Sequence, residues 1–183
     1  MGGRALRSVA RAAPSFEIES HVFYLFTQIL GRRNVALAEK LKPLGVSVPQ
    51  WRILAVLQER AGCTMSELAG VTTIDRTTLT RAVDRMVETG LVARRNDAQD
   101  RRSVRLSLTA AGKDAFRRVL PRVLEQNERA MRDFTASEIT EFRAQLHRMV
   151  RNLDPDYDHR KAAWRAGRAA AIAENRHNRR EAS

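Results

Sequence analysis

Eight arginines and no lysine lie between Arg76 and Arg105. A guanidinium is planar, remains charged at physiological pH, and can donate paired hydrogen bonds to a phosphate or to the edge of a guanine. So many fixed charges in one short segment are typical of a surface that binds a polyanion. The chemistry that this segment indicates is recognition of nucleic acid.

A helix followed by two strands is predicted to carry these arginines. Asp75 is a good N-cap and Gly90 a good C′ residue, so a helix is predicted between them. The segment VRLSL at 104–108 alternates apolar and polar residues, and LVARR at 91–95 is the predicted partner strand. The polar stretch between the strands fits the tip of a hairpin.

A shorter helix precedes this unit. Thr64 and Glu67 have the spacing of a capping box, which predicts a helix of about two turns. Two short helices and a hairpin together predict a winged helix-turn-helix, in which the second helix enters the major groove. The residues expected to contact DNA are Arg76, Thr77, Thr78, Thr80, Arg81 and Arg85 on the helix, and Arg101 and Arg102 with Asp100 at the hairpin tip.

Apolar stripes at helical spacing flank this unit on both sides. They are more extensive than the central unit can cover, so we expect them to pack on each other and on a second copy of the chain. The predicted fold is mostly α with a small β-hairpin wing. The predicted divisions are a flexible basic arm at 1–15, a dimerisation helix at 16–46, the DNA-binding unit at 47–112, dimerisation helices at 113–153, and a basic tail at 154–183.

The composition agrees with this class. The net charge of +12 favours a polyanionic partner, and the single cysteine, Cys63, fits a reducing compartment. No apolar run approaches the roughly 20 residues that cross a bilayer, so we expect a cytoplasmic protein with no membrane partner. The sequence has no Gly-rich phosphate loop, metal-ligand spacing or nucleophile–base arrangement, which argues against an enzyme, a metal site or a cofactor.

The segment from SELAGVTTIDRTTLTRAVDRMVETGLVARR to DAQDRRSVRLSLTAAG resembles the MarR family of bacterial winged-helix transcriptional regulators. The resemblance covers about residues 16–153, and its most specific part is the wing sequence at Asp100, Arg101 and Arg102 followed by LSLTAAG.

The resemblance implies a homodimer in which the first and last helices form the interface. It implies a repressor that leaves a pseudo-palindromic operator when a small molecule binds, and that is nucleoid-associated while on DNA. A wing arginine would enter the minor groove, oriented by Asp100. A non-specific or architectural DNA-binding protein remains the alternative.

The family's effector pocket lies between the winged unit and the dimer helices. His21, Tyr24, Trp51 and Arg52 are the candidates to line such a pocket, where an apolar wall and a cation would suit an aromatic acid or a phenol. Each is also a candidate core or interface residue. Cys63 is expected to be a small core residue rather than a redox sensor. The basic tail could add phosphate contacts, pack on the dimer or be disordered.

Overall fold

The computed structural model describes residues 17–96 and 103–159, together with Ala162. A 3-10 turn (Ile18–Ser20) is followed by α1 (Val22–Leu41), a second 3-10 turn (Lys42–Leu44), α2 (Val48–Glu59), β1 (Cys63–Thr64), α3 (Met65–Thr72), α4 (Arg76–Glu88), β2 (Val92–Asn96), β3 (Val104–Leu108), α5 (Ala110–Ala130) and α6 (Ala136–Leu153). The protein is mostly α with a small antiparallel sheet, as predicted.

Capping boxes start three helices, among them α3, where the spacing of Thr64 and Glu67 predicts one. The hydroxyls of Ser47, Thr64 and Thr135 each accept a backbone N–H three residues on, and the reciprocal bond of each capping box is present. The prediction for the first helix was too long, because the turn at Ile18–Ser20 and the extended backbone of His21 delay its start to Val22.

The wing belongs to a three-stranded sheet in the order β1-β3-β2. The predicted hairpin of β2 and β3 is confirmed, with Val92 opposite Leu108 and Asn96 opposite Val104. The sequence analysis missed β1, where Cys63 pairs with Leu106. Two residues are too short to show an alternating pattern, so only the fold reveals this strand.

The core lies between α2, α4, α5, the sheet and the end of α1. Leu37 and Leu41 of α1, Leu54 of α2, Leu79 of α4 and Leu106 of β3 are all fully buried. Trp51 stacks on Phe116 of α5 with the ring centroids 5.6 Å apart. The core therefore holds the winged unit against the last turns of α1 and the first half of α5.

Candidate nucleic-acid interface

Helix α4 presents a polar surface to solvent. Leu79, Val83 and Met86 anchor its other side in the core. Its predicted DNA contacts are all exposed: Arg76, Thr77, Thr78, Thr80, Arg81 and Arg85. The helix therefore has the amphipathic form of a recognition helix, with one buried side and one side open to a duplex.

The first turn of α4 is fixed by Asp75. Its carboxylate oxygen accepts the backbone N–H of Thr78 at 2.8 Å, and hydrogen bonds from Thr78 hold the pKa of this carboxyl below its usual range. The hydroxyl of Thr80 donates to the carbonyl of Arg76 at 2.9 Å. Thr80 thus presents its methyl group and an acceptor oxygen outward.

One flank of α4 faces the wing. The rows of a helix repeat every three to four residues, so Thr77, Thr80 and Asp84 share this flank. Nη2 of Arg94, on β2, lies 2.5 Å from Oδ1 of Asp84. This ion pair connects the recognition helix to the exposed half of the wing.

The base of the wing is held by backbone contacts. Gly90 has a left-handed φ of 70°, which turns the chain from α4 toward β2. The hydroxyl of Thr109 donates to the carbonyl of Gly90 at 2.6 Å and accepts the N–H of Gly112 at 3.1 Å. A Cβ added at Gly112 would meet the carbonyl oxygen of Leu91 at 2.0 Å, so only glycine fits there.

Two of the eight arginines make internal contacts that the sequence analysis did not predict. Arg94 pairs with Asp84, and Nη1 of Arg105 donates to the carbonyl of Gly62 at 2.9 Å. These partners are distant in sequence, so a local pattern cannot reveal them. The division of all eight arginines between two DNA contact points stays a prediction.

The predicted wing-tip residues Asp100, Arg101 and Arg102 lie outside the described residues. The strands on either side of this tip, β2 and β3, form the predicted hairpin. Arg95, near the end of β2, is exposed.

The other flank of α4 borders a cavity of about 1120 Å³. Arg81 and Arg85 line it from α4, and Lys42 lines it from the turn after α1. Across it, α1 contributes Asn34, whose buried Oδ1 has no hydrogen-bond partner among the described residues. The rest of its lining includes apolar side chains and the carboxylate of Glu39; the apolar residues are Val35, Ala38, Val46, Val48, Pro49 and Ala82. The cavity combines an apolar wall, three cations, one carboxylate and an unsatisfied acceptor.

The four predicted effector residues do not line this cavity. His21 is exposed at the start of α1, and Tyr24 and Arg52 are half-buried. Trp51 is buried in the core stack with Phe116, which accounts for its apolar surroundings.

A second cation near Arg52, the guanidinium of Arg33, was missed. Burial, and then the charge of Arg52, lower the pKa of Arg33, and its guanidinium donates to Oδ1 of Asn127 on α5 at 3.3 Å. Arg33 and Arg52 lie on different helices, so the local sequence cannot show that they are close in space.

Cys63 lies on strand β1, opposite Leu106, and its side chain is fully buried. Burial, with a smaller contribution from the carboxylate of Glu67, raises the pKa of its thiol to about 12. A thiolate is the reactive form, so the native protein holds this cysteine in an unreactive state.

Membrane-spanning and metal-binding features are absent from the described parts of the chain. No helix there has the length and apolar character that a membrane crossing requires. Among the same residues, no group of three or more histidine, cysteine or acidic side chains is placed to hold a metal ion.

Comparison with known proteins supports this interface. A family model described as "MarR family" matches residues 44–103, the segment that contains α2, α3, α4 and the first wing strand, β2. A MarR-family transcriptional regulator from Silicibacter pomeroyi has a crystal structure that aligns with a TM-score of 0.68 and 33% identity, covering 74% of this chain and 92% of that one. The chain belongs to the MarR family.

Other members of the family show what such chains do. The HTH-type transcriptional repressor IacR of Pseudomonas putida is 27% identical over 143 residues, covering 78% of this chain and 86% of IacR. The structure of a mutant MarR from Escherichia coli complexed with operator DNA aligns with a TM-score of 0.63 and 26% identity, covering 70% of this chain and 92% of that one. This family member is therefore a DNA-binding transcriptional regulator and not an enzyme.

Proposed function

We propose that this MarR-family regulator is a homodimeric repressor, which binds a pseudo-palindromic operator and leaves it when a small organic acid or phenol binds. In this proposal residues 47–112 bind DNA, and residues 16–46 and 113–153 form the dimer. The repressor acts in the bacterial cytoplasm, on the nucleoid.

The observation that carries the proposal is the exposed polar side of α4, with Arg76, Thr77, Thr80 and Arg81 directed away from a fully anchored core side. An arginine on this surface can donate two hydrogen bonds to a guanine. A threonine can contact the methyl group of a thymine or form a hydrogen bond with the edge of a base. The structural relative solved in complex with operator DNA supports DNA binding by a chain of this fold. Asp100, Arg101 and Arg102 are proposed to place a guanidinium in the adjoining minor groove.

Exposed apolar surface supports the dimer. Phe23 and Ile29 of α1 are each 53% exposed and Leu153 of α6 is 72% exposed. Helix α6 has no buried residue, although Ile139, Phe142, Leu146 and Met149 lie on one stripe. A monomer rarely leaves such a surface in water, and a two-fold copy packing α1 and α6 against their equivalents would cover it.

Two basic places support an anionic effector. Arg33 of α1 and Arg52 of α2 form a pair of neighbouring cations. Tyr24 lies on α1, and His21 is the N-cap of that helix. The cavity beside α4 adds Lys42, Arg81 and Arg85 around the unsatisfied oxygen of Asn34. The ligand would be a carboxylate or phenolate that carries a hydrogen-bond donor on an apolar body. In the cavity it would compete with DNA for Arg81 and Arg85, and the charges of these arginines and Lys42 would outweigh that of Glu39.

A competition binding measurement tests the function. Duplexes selected from a random pool would be labelled and displaced by unlabelled selected or scrambled duplex at fixed salt. A specific regulator should prefer the selected sequence by about 10³-fold or more. Equal displacement by both would favour the architectural alternative and overturn the proposal.

A further inference from the structure

We propose that the Asp84–Arg94 ion pair is a positioning contact that sets the spacing between the recognition helix and the wing, and so couples the readout of the two grooves. The structural part depends only on the described residues. Its consequence for binding rests on the proposed function.

The ion pair joins two elements that would enter different grooves. Asp84 is on the α4 flank that also carries Thr77 and Thr80. Arg94 is on β2, opposite Leu106 of β3, so its backbone is fixed by the sheet. Nη2 of Arg94 and Oδ1 of Asp84 are 2.5 Å apart. A change at either side chain would therefore alter how the exposed half of β2 is held against α4.

The ion pair attaches β2 to α4 beyond the contacts at the wing's base. Thr109, Gly90 and Leu91 connect the start of β2, the end of α4 and the start of α5. β1 holds the other strand, β3, on the side away from β2. From Arg94 to Asn96 the strand β2 is exposed, so a contact from Arg94 to α4 constrains its angle to the helix in a way that the base and β1 do not.

The sign of the charge argues for positioning over direct contact. Asp84 is a carboxylate on the flank of a helix proposed to lie against phosphates, where an acid is electrostatically unfavourable. Its presence is explained if its role is to hold Arg94. An ion pair as exposed as this one, with side chains 41% and 45% accessible, contributes little to overall stability, so its removal should not unfold the protein.

The test compares Asp84→Asn, Arg94→Gln and a matched control, Glu88→Gln. Glu88 is an exposed acid on the last turn of the same helix and makes no ion pair within the described segments. Asp84→Asn and Glu88→Gln remove the same charge from α4, but only the first breaks the ion pair. The readouts are affinities for selected and scrambled duplexes, and backbone hydrogen exchange of the free full-length protein.

Positioning predicts that Asp84→Asn and Arg94→Gln each lower the ratio of specific to non-specific affinity by about tenfold, and that the double variant lowers it no further, as expected for coupled residues. Glu88→Gln should leave that ratio unchanged. In the free protein, Asp84→Asn should speed exchange at Arg94–Asn96 while the α4 amides remain protected.

Two results would overturn the inference. If Asp84→Asn tightens binding to both duplexes as Glu88→Gln does, the acid acts only through its charge. If Arg94→Gln alone weakens binding and reduces the salt slope by about one, Arg94 is a phosphate contact. If the wild type does not distinguish the duplexes, the proposed function fails, and the exchange experiment still decides whether the ion pair holds the wing.

Discussion

The two flanks of the recognition helix differ in how their charges are used. On the wing side, Asp84 and Arg94 are paired, and Gly112 and Thr109 fix the base of the hairpin by close backbone contacts. On the α1 side, Arg81 and Arg85 border an open cavity together with Lys42, and these three make no ion pair within the described segments.

The wing-side flank therefore fixes the geometry of helix and wing, whereas the α1-side flank is open to a ligand. On the wing side, Asp84 and Arg94 are paired, and the close contact at Gly112 leaves no room for a Cβ. Together these contacts can hold the helix and the wing in one arrangement. A flank with three cations that are unpaired among the described residues can accept an anion, either phosphate or a small acid, through charge-assisted hydrogen bonds. The unsatisfied oxygen of Asn34 is an acceptor, so only a ligand that also carries a hydrogen-bond donor would satisfy it. The comparison predicts that wing-side changes alter structure and coupling, and that α1-side changes alter what is bound.

The largest effect is expected at Gly112. Gly112→Ala places a methyl group 2.0 Å from the carbonyl oxygen of Leu91, so the hairpin base must move, at a cost of about 3 kcal/mol or more. Urea unfolding measures this. The control is Gly70→Ala, at a helical glycine of α3 with nothing within 4 Å, which should be neutral or stabilising. Equal stability of the two variants would show that the base of the wing is not rigid.

A large effect on recognition is expected at Arg81. Arg81→Ala should reduce discrimination against substituted operators by about 1–3 kcal/mol at one base-pair position, because a bidentate contact to guanine is lost. Competition binding on single-substitution duplexes measures this. Arg118→Ala, at an exposed position of α5, removes the same charge and should leave discrimination intact. Identical base preferences in wild type and Arg81→Ala would place the readout elsewhere.

A moderate effect, confined to the effector, is expected at Lys42. Lys42→Gln should weaken binding of an aromatic acid such as 4-hydroxybenzoate by about tenfold if the acid occupies the α1-side cavity, since a charge-assisted hydrogen bond is removed. Titration calorimetry without DNA measures this. Arg52→Gln is the comparison variant, and a loss confined to Arg52→Gln would place the effector at the Arg33–Arg52 pair instead.

A smaller effect is expected from Glu67, which caps α3. Burial favours its neutral form, but hydrogen bonds from Thr64 and the charge of Arg60 outweigh this and lower its pKa. Its stabilising contribution is therefore present above the usual glutamate pKa of about 4.3 and is lost as the pH falls through the lowered value. The stability difference between wild type and Glu67→Gln should shrink from pH 7 to pH 3. A difference that is constant over this range would contradict the assignment.

The exposed capping box of α6 provides the control for Glu67. Glu138 also caps its helix, by hydrogen bonds with Thr135 that lower its pKa, but the described contacts give it no arginine partner. Glu138→Gln should therefore change stability less at neutral pH than Glu67→Gln does.

Local chemistry made much of the fold predictable. Asp75, Thr109 and the three capping boxes mark helix starts, and the alternation of VRLSL marks β3, because these signals depend on neighbours within a few residues. The two-residue strand β1, the Asp84–Arg94 pair and the contact of Arg105 with Gly62 join distant segments, so the sequence could not reveal them. The same limit applies to the α1-side cavity, whose lining comes from α1, α2, α4 and the connection between α1 and α2.

The central claim is that two copies of the α4 surface and wing read one symmetric DNA site. In vitro selection of duplexes from a random pool by the full-length protein tests it most directly. The account predicts enrichment of an inverted repeat whose half-sites are centred about one helical turn, or a multiple of it, apart. Enrichment of no sequence, or of a single asymmetric site, would contradict it.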